Sequence, residues 1–192
     1  MTPIPRPNIR MDAAPVTADT GVDADAGADV ILALGSNLGD SVATLALAIR
    51  EIADIEGFEL TRIAPLYESA AVKLHGVDTE APRYVNTVVA GCYTGEPKQL
   101  LAAINAIENA NGRVRTERWG DRTLDIDIIV IDDVRSDDPD LTIPHPRAVE
   151  RDFVLVPWLD VDPDAVLPGQ GRVSDLLSQL QITVVPLEGT AT

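Results

Sequence analysis

The stretch from Gly112 to Ile131, GRVRTERWGDRTLDIDIIVI, joins a basic segment to an acidic and apolar one. Its first half carries four arginines and a tryptophan, namely Arg113, Arg115, Arg118, Trp119 and Arg122. After Leu124 the run is apolar except for Asp125 and Asp127. This pattern predicts a mobile basic loop that leads into a buried strand.

The two aspartates are expected on one face of that strand, because side chains alternate between faces, with their Cα atoms roughly 6 to 7 Å apart. The apolar residues around them predict a central strand that is covered on both sides. In this interpretation one face carries Ile126, Ile128 and Val130, and the other carries Ile129 and Ile131.

Two neighbouring carboxylates need a cation, because burying them unpaired is strongly unfavourable. All-oxygen ligation by few protein groups suits Mg²⁺, which keeps water ligands and takes others from substrate phosphates. The guanidinium groups upstream suit phosphate oxygens. Either motif alone has a plainer interpretation, since D-x-D arises by chance in an acidic chain and arginine-rich runs are usually solvated. Together they favour a magnesium and polyphosphate site.

The composition indicates a globular protein that is strongly acidic. The 192 residues are 45% hydrophobic and carry a formal net charge of −16, which suits one domain with a sizeable core. This charge argues against a general nucleic-acid partner, because a phosphate backbone would be repelled outside the basic loop. The single cysteine, Cys92, excludes a disulfide framework. No apolar run approaches the roughly 20 residues of a membrane span, so we expect a cytoplasmic protein without membrane contact. We also expect a monomer.

The order of predicted elements is β-α-β-β-α-β, which is the ferredoxin-like arrangement of the α+β class. We expect a disordered tail over residues 1–28, a domain over 29–182 with an extension after the last core strand, and a C-terminal tail over 183–192. Strands are expected at 29–34, 58–67, 84–93 and from Asp125 onward, with an irregular loop at 68–82. Helices are expected at 41–55, 97–110, 148–159 and 174–180. The first helix is expected to be capped by Ser41 and to bury Val42, Leu45, Ile49 and Ile52.

Tyr84 and Asn86 share one face of the third predicted strand. An aromatic ring beside a carboxamide suits a flat heterocycle whose edge offers donors and acceptors. The plainer alternative is a half-buried tyrosine and a strand-end asparagine. The turn GSNLG at residues 35–39 lacks the Gly-Lys-Ser/Thr end of a phosphate loop, which favours a tight strand-to-helix turn.

Several motifs, taken in order, resemble the 6-hydroxymethyl-7,8-dihydropterin pyrophosphokinase family of the folate pathway. They are Ile31–Asp40 (ILALGSNLGD), Tyr84–Asn86 (YVN), Arg118–Gly120 (RWG), Arg122–Asp127 (RTLDID) and Leu141–His145 (LTIPH). The resemblance covers about Val30 to Val166. It implies an ATP-dependent diphosphokinase that moves the pyrophosphoryl group of ATP to the 6-hydroxymethyl oxygen of the dihydropterin and releases AMP.

The resemblance also implies roles for individual residues. Asp125 and Asp127 would hold two Mg²⁺ ions that bridge the ATP phosphates, and Arg113 and Arg122 would close over the triphosphate as catalytic clamps. Further ATP contacts are implied for Asn105, Glu108, Arg115, Arg118, Trp119, Thr142, His145 and Arg151. The pterin ring would lie between Tyr84 and Phe153, with Asn86 and Ser69 along its hydrogen-bonding edge.

The chain departs from the family pattern at Asp121, Asp140 and Pro146. These changes are expected to alter ATP affinity rather than the chemistry. Two alternatives stay open. A palm-type Mg²⁺-dependent nucleotidyltransferase also uses strand aspartates but releases pyrophosphate, and a non-catalytic ferredoxin-like module would bind a ligand without turnover.

Overall fold

The computed structural model of the chain describes residues 27–73, 76–78, 82–112 and 123–187. The expected N-terminal tail up to residue 26 and the basic loop at 113–122 lie outside these ranges. The described strands are β1 (Ala28–Ser36), β2 (Phe58–Ile63), β3 (Tyr67–Ser69), β4 (Ala71–Lys73), β5 (Gly76–Asp78), β6 (Tyr84–Tyr93), β7 (Asp125–Ile131), β8 (Ser136–Asp138), β9 (Leu141–Ile143), β10 (Val166–Leu167), β11 (Gly171–Arg172) and β12 (Val185–Pro186). The described helices are α1 (Ser41–Ala53), α2 (Pro97–Ala110), α3 (Asp152–Val161) and α4 (Val173–Leu177), with a 3-10 turn at Ala148–Glu150.

An antiparallel sheet forms the centre of this α+β fold. Its strand order is β12-β3-β6-β1-β7, and β2 pairs with the second half of β6. β2 and β3 therefore pair one after the other along β6 as an interrupted strand, with Pro65, which has no N–H to donate, in the gap. The single strand expected at 58–67 is thus divided. The loop expected to be irregular at 68–82 contains the end of β3 and the hairpin of β4 and β5, so that expectation is wrong.

Helices cover both faces of the sheet. On one face, Leu32 of β1 belongs to the same core as Leu45 of α1 and Leu100 of α2. On the other face, Val88 of β6 belongs to the same core as Trp158 of α3. Each of these side chains is at most 2% exposed, and burying an aliphatic side chain of this size stabilises a fold by about 1.5 to 3 kcal/mol.

A β-bulge in β7 changes the direction of its last side chains. The register between β1 and β7 shifts at this point and leaves Ile129 as the extra residue. Val130 consequently lies with Ile129 in the core under α3, whereas Ile131 lies with Ile126 and Ile128 under α1 and α2. The expected facing of Val130 and Ile131 is wrong. β7 is also an edge strand of the described sheet rather than a central one.

The first helix is capped by Asp40 rather than by Ser41. The Asp40 Oδ1 atom accepts a hydrogen bond from the Ala43 backbone N at 3.0 Å, which satisfies one of the free amides of the first turn. The buried face of α1 consists of Leu45, Ala48 and Ile52. Val42 is 40% exposed, so its expected place in the core is wrong. The bounds expected for β6 and α2 are confirmed.

The C-terminal part of the chain adds a strand to the sheet. The helix expected at 148–159 is divided into the 3-10 turn and α3, which contains Pro157. Beyond α4, β12 pairs with β3, and the Leu187 backbone N donates to the Leu66 carbonyl at 2.8 Å. Val185 and Pro186, expected in a C-terminal tail, therefore join the sheet. Among the helices that the structure describes, none combines the length and apolar character of a membrane span.

Candidate active site

A cavity of about 490 Å³ lies between the sheet and the N-terminal end of α3. It runs across the sheet from β3, over β6 and β1, to β7. The residues predicted from the sequence that line it are Ser69, Tyr84, Asn86, Asp125, Asp127, Arg151 and Phe153. The fold therefore brings the predicted metal ligands and the predicted pterin residues to one space.

Asp125 and Asp127 lie on the cavity side of β7. They alternate with Ile126 and Ile128, which are buried under α1 and α2, so the prediction that the two aspartates share a face is confirmed. No group of three or more His, Cys, Asp or Glu side chains within the described ranges is arranged to hold a metal ion. A pair of carboxylates within the described residues suits a Mg²⁺ ion, which also takes water and substrate phosphate as ligands.

Arg151 connects these aspartates to the aromatic part of the cavity. Its Nη1 atom lies 2.7 Å from Asp127 Oδ2, and its Cζ atom lies 5.6 Å from the centroid of the Phe153 ring. The Arg151 side chain is only 16% exposed. Because this ion pair is partly shielded from water, removing either partner would leave a poorly solvated charge.

His145 lies beside Asp127 as a neutral ring. Its Nε2 atom is 3.7 Å from Asp127 Oδ2, beyond hydrogen-bond distance, while its Nδ1 atom accepts a hydrogen bond from the Arg147 backbone N at 3.2 Å. Burial lowers the pKa of His145, and the charges of Arg151 and Arg147 lower it further, against the opposing effects of Asp127 and Asp125. The ring therefore carries its proton on Nε2 and is suited to donate to an anion.

The opposite part of the cavity is built from neutral polar groups. Asn86 Nδ2 donates a hydrogen bond to Ser69 Oγ at 2.9 Å, and both residues are buried. A Cβ atom added at Gly35 would lie 3.2 Å from Asn86 Oδ1 and 3.7 Å from Tyr84 Cδ1. The absence of a side chain at Gly35 therefore lets the Asn86 amide oxygen and the Tyr84 ring lie close to this backbone, and Phe153 lines the same cavity.

Four described residues predicted to contact ATP lie outside the cavity lining, and His145 is one of them. Glu108 is 1% exposed, and its Oε1 atom accepts a hydrogen bond from the Ile126 backbone N at 2.8 Å, which ties α2 to β7. Thr142 donates to the Asp138 carbonyl at 3.1 Å within the β8–β9 hairpin, and Asn105 is half-buried on α2. Their contacts with ATP stay predictions. The remaining predicted residues, Arg113, Arg115, Arg118, Trp119 and Arg122, lie outside the described residues.

The lining also contains residues that sequence reasoning missed, namely Gly35, Arg147, Glu150, Asp152, Gln181 and Thr183. Arg147 follows His145 by two positions and Asp152 directly precedes Phe153, so closeness in sequence to predicted residues was a usable signal. Gln181 and Thr183 offered no such signal, because long-range contacts, namely the pairing of β12 with β3 and hydrogen bonds to Asp152, bring their segment to the cavity.

A family model and several similar known proteins point to the same family. The model of the 7,8-dihydro-6-hydroxymethylpterin-pyrophosphokinase (HPPK) family matches residues 31–163. The 2-amino-4-hydroxy-6-hydroxymethyldihydropteridine pyrophosphokinase of Synechocystis sp. is 38% identical over 156 residues, covering 81% of this chain and 77% of that protein. The protein of the same name from Mycobacterium tuberculosis is 40% identical over 165 residues, covering 79% of this chain and 84% of that protein.

Solved structures show the same fold. Wild-type Plasmodium falciparum HPPK-DHPS with pterin and p-hydroxybenzoate matches with a TM-score of 0.60 and 15% identity, over 83% of this chain and 44% of that chain. HPPK-DHPS in complex with substrates matches with a TM-score of 0.61 and 11% identity, over 80% of this chain and 43% of that chain. The chain thus spans less than half the length of these HPPK-DHPS chains, and the likeness concerns the fold alone.

Proposed function

The chain belongs to the HPPK family, and we propose that it transfers the pyrophosphoryl group of ATP to 6-hydroxymethyl-7,8-dihydropterin, with release of AMP, in folate biosynthesis. The observation that carries the proposal is a single cavity onto which a carboxylate pair and a neutral amide and aromatic surface both open. The carboxylates suit a metal-bound polyphosphate, and the neutral surface suits a pterin. Transfer between the two substrates requires them to share one space.

Asp125 and Asp127 fit a divalent cation, and we assign two Mg²⁺ ions to them. An ionised carboxylate has two oxygens with about four acceptor sites, so the contact of Arg151 with Asp127 Oδ2 leaves room for a metal ion. When bound, Mg²⁺ neutralises the charge of the transferring phosphates. The arrangement of the two side chains on one face of β7 supports this assignment.

The ATP phosphates are assigned to the β7 side of the cavity. Arg113 and Arg122 are the proposed catalytic clamps, because the resemblance to the family implies that role. The other proposed ATP contacts are Asn105, Glu108, Arg115, Arg118, Trp119, Thr142, His145 and Arg151. Among these, His145 and Arg151 have direct structural support, since both lie next to Asp127.

The pterin is assigned to Tyr84 and Phe153 as aromatic surfaces and to Asn86 and Ser69 as hydrogen-bonding partners. The hydroxymethyl oxygen forms a bond to the β-phosphorus and loses its proton to water, while the bond from that phosphorus to the bridging oxygen of AMP breaks in line. His145 serves as a donor rather than as a base, because its Nδ1 atom already accepts the Arg147 amide. Catalysis then rests mainly on positioning and charge neutralisation.

We further infer a ferredoxin-like core with a C-terminal extension. The order β7-β1-β6 followed by β2 and β3, with α1 and α2 on one face, supports this assignment. α3 and α4 form the extension on the other face. A cytoplasmic location and a monomeric state are part of the proposal, and size-exclusion chromatography with light scattering tests the latter.

A coupled assay for AMP tests the proposed reaction. With ATP, Mg²⁺ and the hydroxymethyl dihydropterin we expect stoichiometric AMP and dihydropterin pyrophosphate, and without the pterin we expect neither. Release of pyrophosphate instead of AMP would indicate a nucleotidyltransferase. Binding of ATP without turnover and without dependence on Mg²⁺ would indicate a ligand-binding module.

A further inference from the structure

The cavity extends beyond the proposed pterin residues to the C-terminal segment, defined here as residues 181–187. Gln181 and Thr183 line the cavity. Within the segment, β12 pairs with β3, the strand that carries Ser69. Because β12 and β7 are at opposite edges of the sheet, the segment lies at the end of the cavity remote from the aspartates of β7.

Asp152 holds this segment in place. Its Oδ2 atom accepts hydrogen bonds from the Thr183 backbone N, from Thr183 Oγ1 at 2.8 Å and from the Val184 backbone N at 3.2 Å. Asp152 is 8% exposed and is the residue before Phe153. Hydrogen bonds to an ionised acceptor are stronger than those between neutral groups, so this carboxylate fixes the segment relative to the start of α3.

We propose that the C-terminal segment forms the outer wall of the pterin site, that Gln181 contacts the pterin, and that Asp152 is the positioning residue for this wall. The inference rests on the proposed function. The Gln181 carboxamide offers both a donor and an acceptor, which matches the edge of a pterin. The Thr183 hydroxyl is already engaged by Asp152, so it orients the wall rather than binding substrate.

A purely structural anchor is the competing explanation, and α3 supplies a matched control. Asp160, on the same helix, accepts a hydrogen bond from the Tyr67 hydroxyl at 2.7 Å and so also ties α3 to β3. It does not line the cavity. Asp152→Asn therefore weakens a link between α3 and the C-terminal segment, and Asp160→Asn weakens a link between α3 and β3, so only the first releases the wall.

The test compares KM for the dihydropterin with KM for ATP in the full chain. Because ionic hydrogen bonds that order the wall are weakened, Asp152→Asn is expected to raise KM for the dihydropterin by roughly tenfold and to leave KM for ATP within about twofold. Gln181→Ala is expected to raise KM for the dihydropterin by roughly threefold to tenfold, since one polar contact is lost. Asp160→Asn is expected to change neither KM, although its melting temperature falls.

Equal rises in both KM values in Asp152→Asn, or a lower melting temperature with both KM values unchanged, would overturn the inference. If that variant does not fold, Thr183→Val removes only the hydroxyl donor, and the same selective rise, smaller in size, is required. The result is distinct from failure of the proposed function, because in that case the wild-type chain itself would release no AMP with the dihydropterin.

Discussion

The two ends of the cavity hold their polar groups in different ways. At the β7 end, Asp127 is paired with Arg151. The His145 Nε2 atom lies 3.7 Å from Asp127 Oδ2, beyond hydrogen-bond distance. At the β3 end, Asn86 and Ser69 are neutral and bonded to each other. In the proposed function the charged β7 end takes the metal ion and the polyphosphate, and the neutral β3 end takes the pterin ring. If the two ends act separately, a substitution at one end should leave the substrate bound at the other end unaffected.

The largest effect is expected for the carboxylates of the β7 end. Asp125→Asn or Asp127→Asn should lower kcat by about 10³-fold or more, because several kcal/mol of charge neutralisation depend on the bound metal. KM for the dihydropterin should change little. AMP release at saturating Mg²⁺ measures this, and Asp133→Asn, which removes an exposed charge just beyond β7, is the control. Near-normal turnover in either variant would defeat the metal assignment.

Arg151 is the residue that joins the two ends. It contacts Asp127 at 2.7 Å and lies 5.6 Å from the Phe153 ring centroid. Arg151→Ala should therefore weaken the binding of both substrates and lower kcat/KM by about a hundredfold, since a partly buried ion pair loses one partner. Arg172→Ala, which removes an exposed pair with Asp164, is the matched control and should have no effect. An effect of Arg151→Ala on one substrate alone would show that the ends are independent.

The elements with strong local signals were predictable from the sequence. β6 and α2 have the expected bounds, because a β-branched run and a proline at the first helical position are unambiguous. The bulge at Ile129 was not predictable, since an entirely apolar run contains no residue that marks the change of face. The choice of Asp40 over Ser41 as cap likewise depends on geometry, because both are good capping residues.

The site shows the same division. Residues within or beside recognisable motifs, such as Asp125, Asp127 and Asn86, were found from the sequence and line the cavity. Gln181 and Thr183 were not, because their place depends on a pairing between β3 and β12, which are more than a hundred residues apart in the chain. Long-range pairing of this kind leaves no local pattern.

A smaller effect, confined to the β3 end, is expected for Gly35→Ala. The added methyl group would lie 3.2 Å from Asn86 Oδ1 and would fill space beside Tyr84. Because overpacking of this size costs about 1 to 3 kcal/mol, KM for the dihydropterin should rise by about tenfold or more. KM for ATP, measured in the same assay, should stay near the wild-type value. A larger effect on ATP than on the pterin would place the pterin elsewhere in the cavity.

The smallest effect is expected at Cys92, near the end of β6 remote from the cavity. Burial raises the pKa of its thiol to about 11, and the Asp29 carboxylate, which accepts its hydrogen bond at 3.2 Å, adds to that effect. A raised thiol pKa means that little thiolate exists at pH 8, so reaction with a disulfide reagent should be at least about tenfold slower than that of an unperturbed thiol and should accelerate up to about pH 11. Asp29→Asn should speed the reaction without fully restoring it, because burial is the larger cause.

The modified enzyme should keep both KM values, since Cys92 lies outside the cavity lining. Fast reaction of the wild-type thiol at pH 8 would contradict the raised pKa. A change in either KM on modification would show that the Cys92 end of β6 is coupled to the cavity.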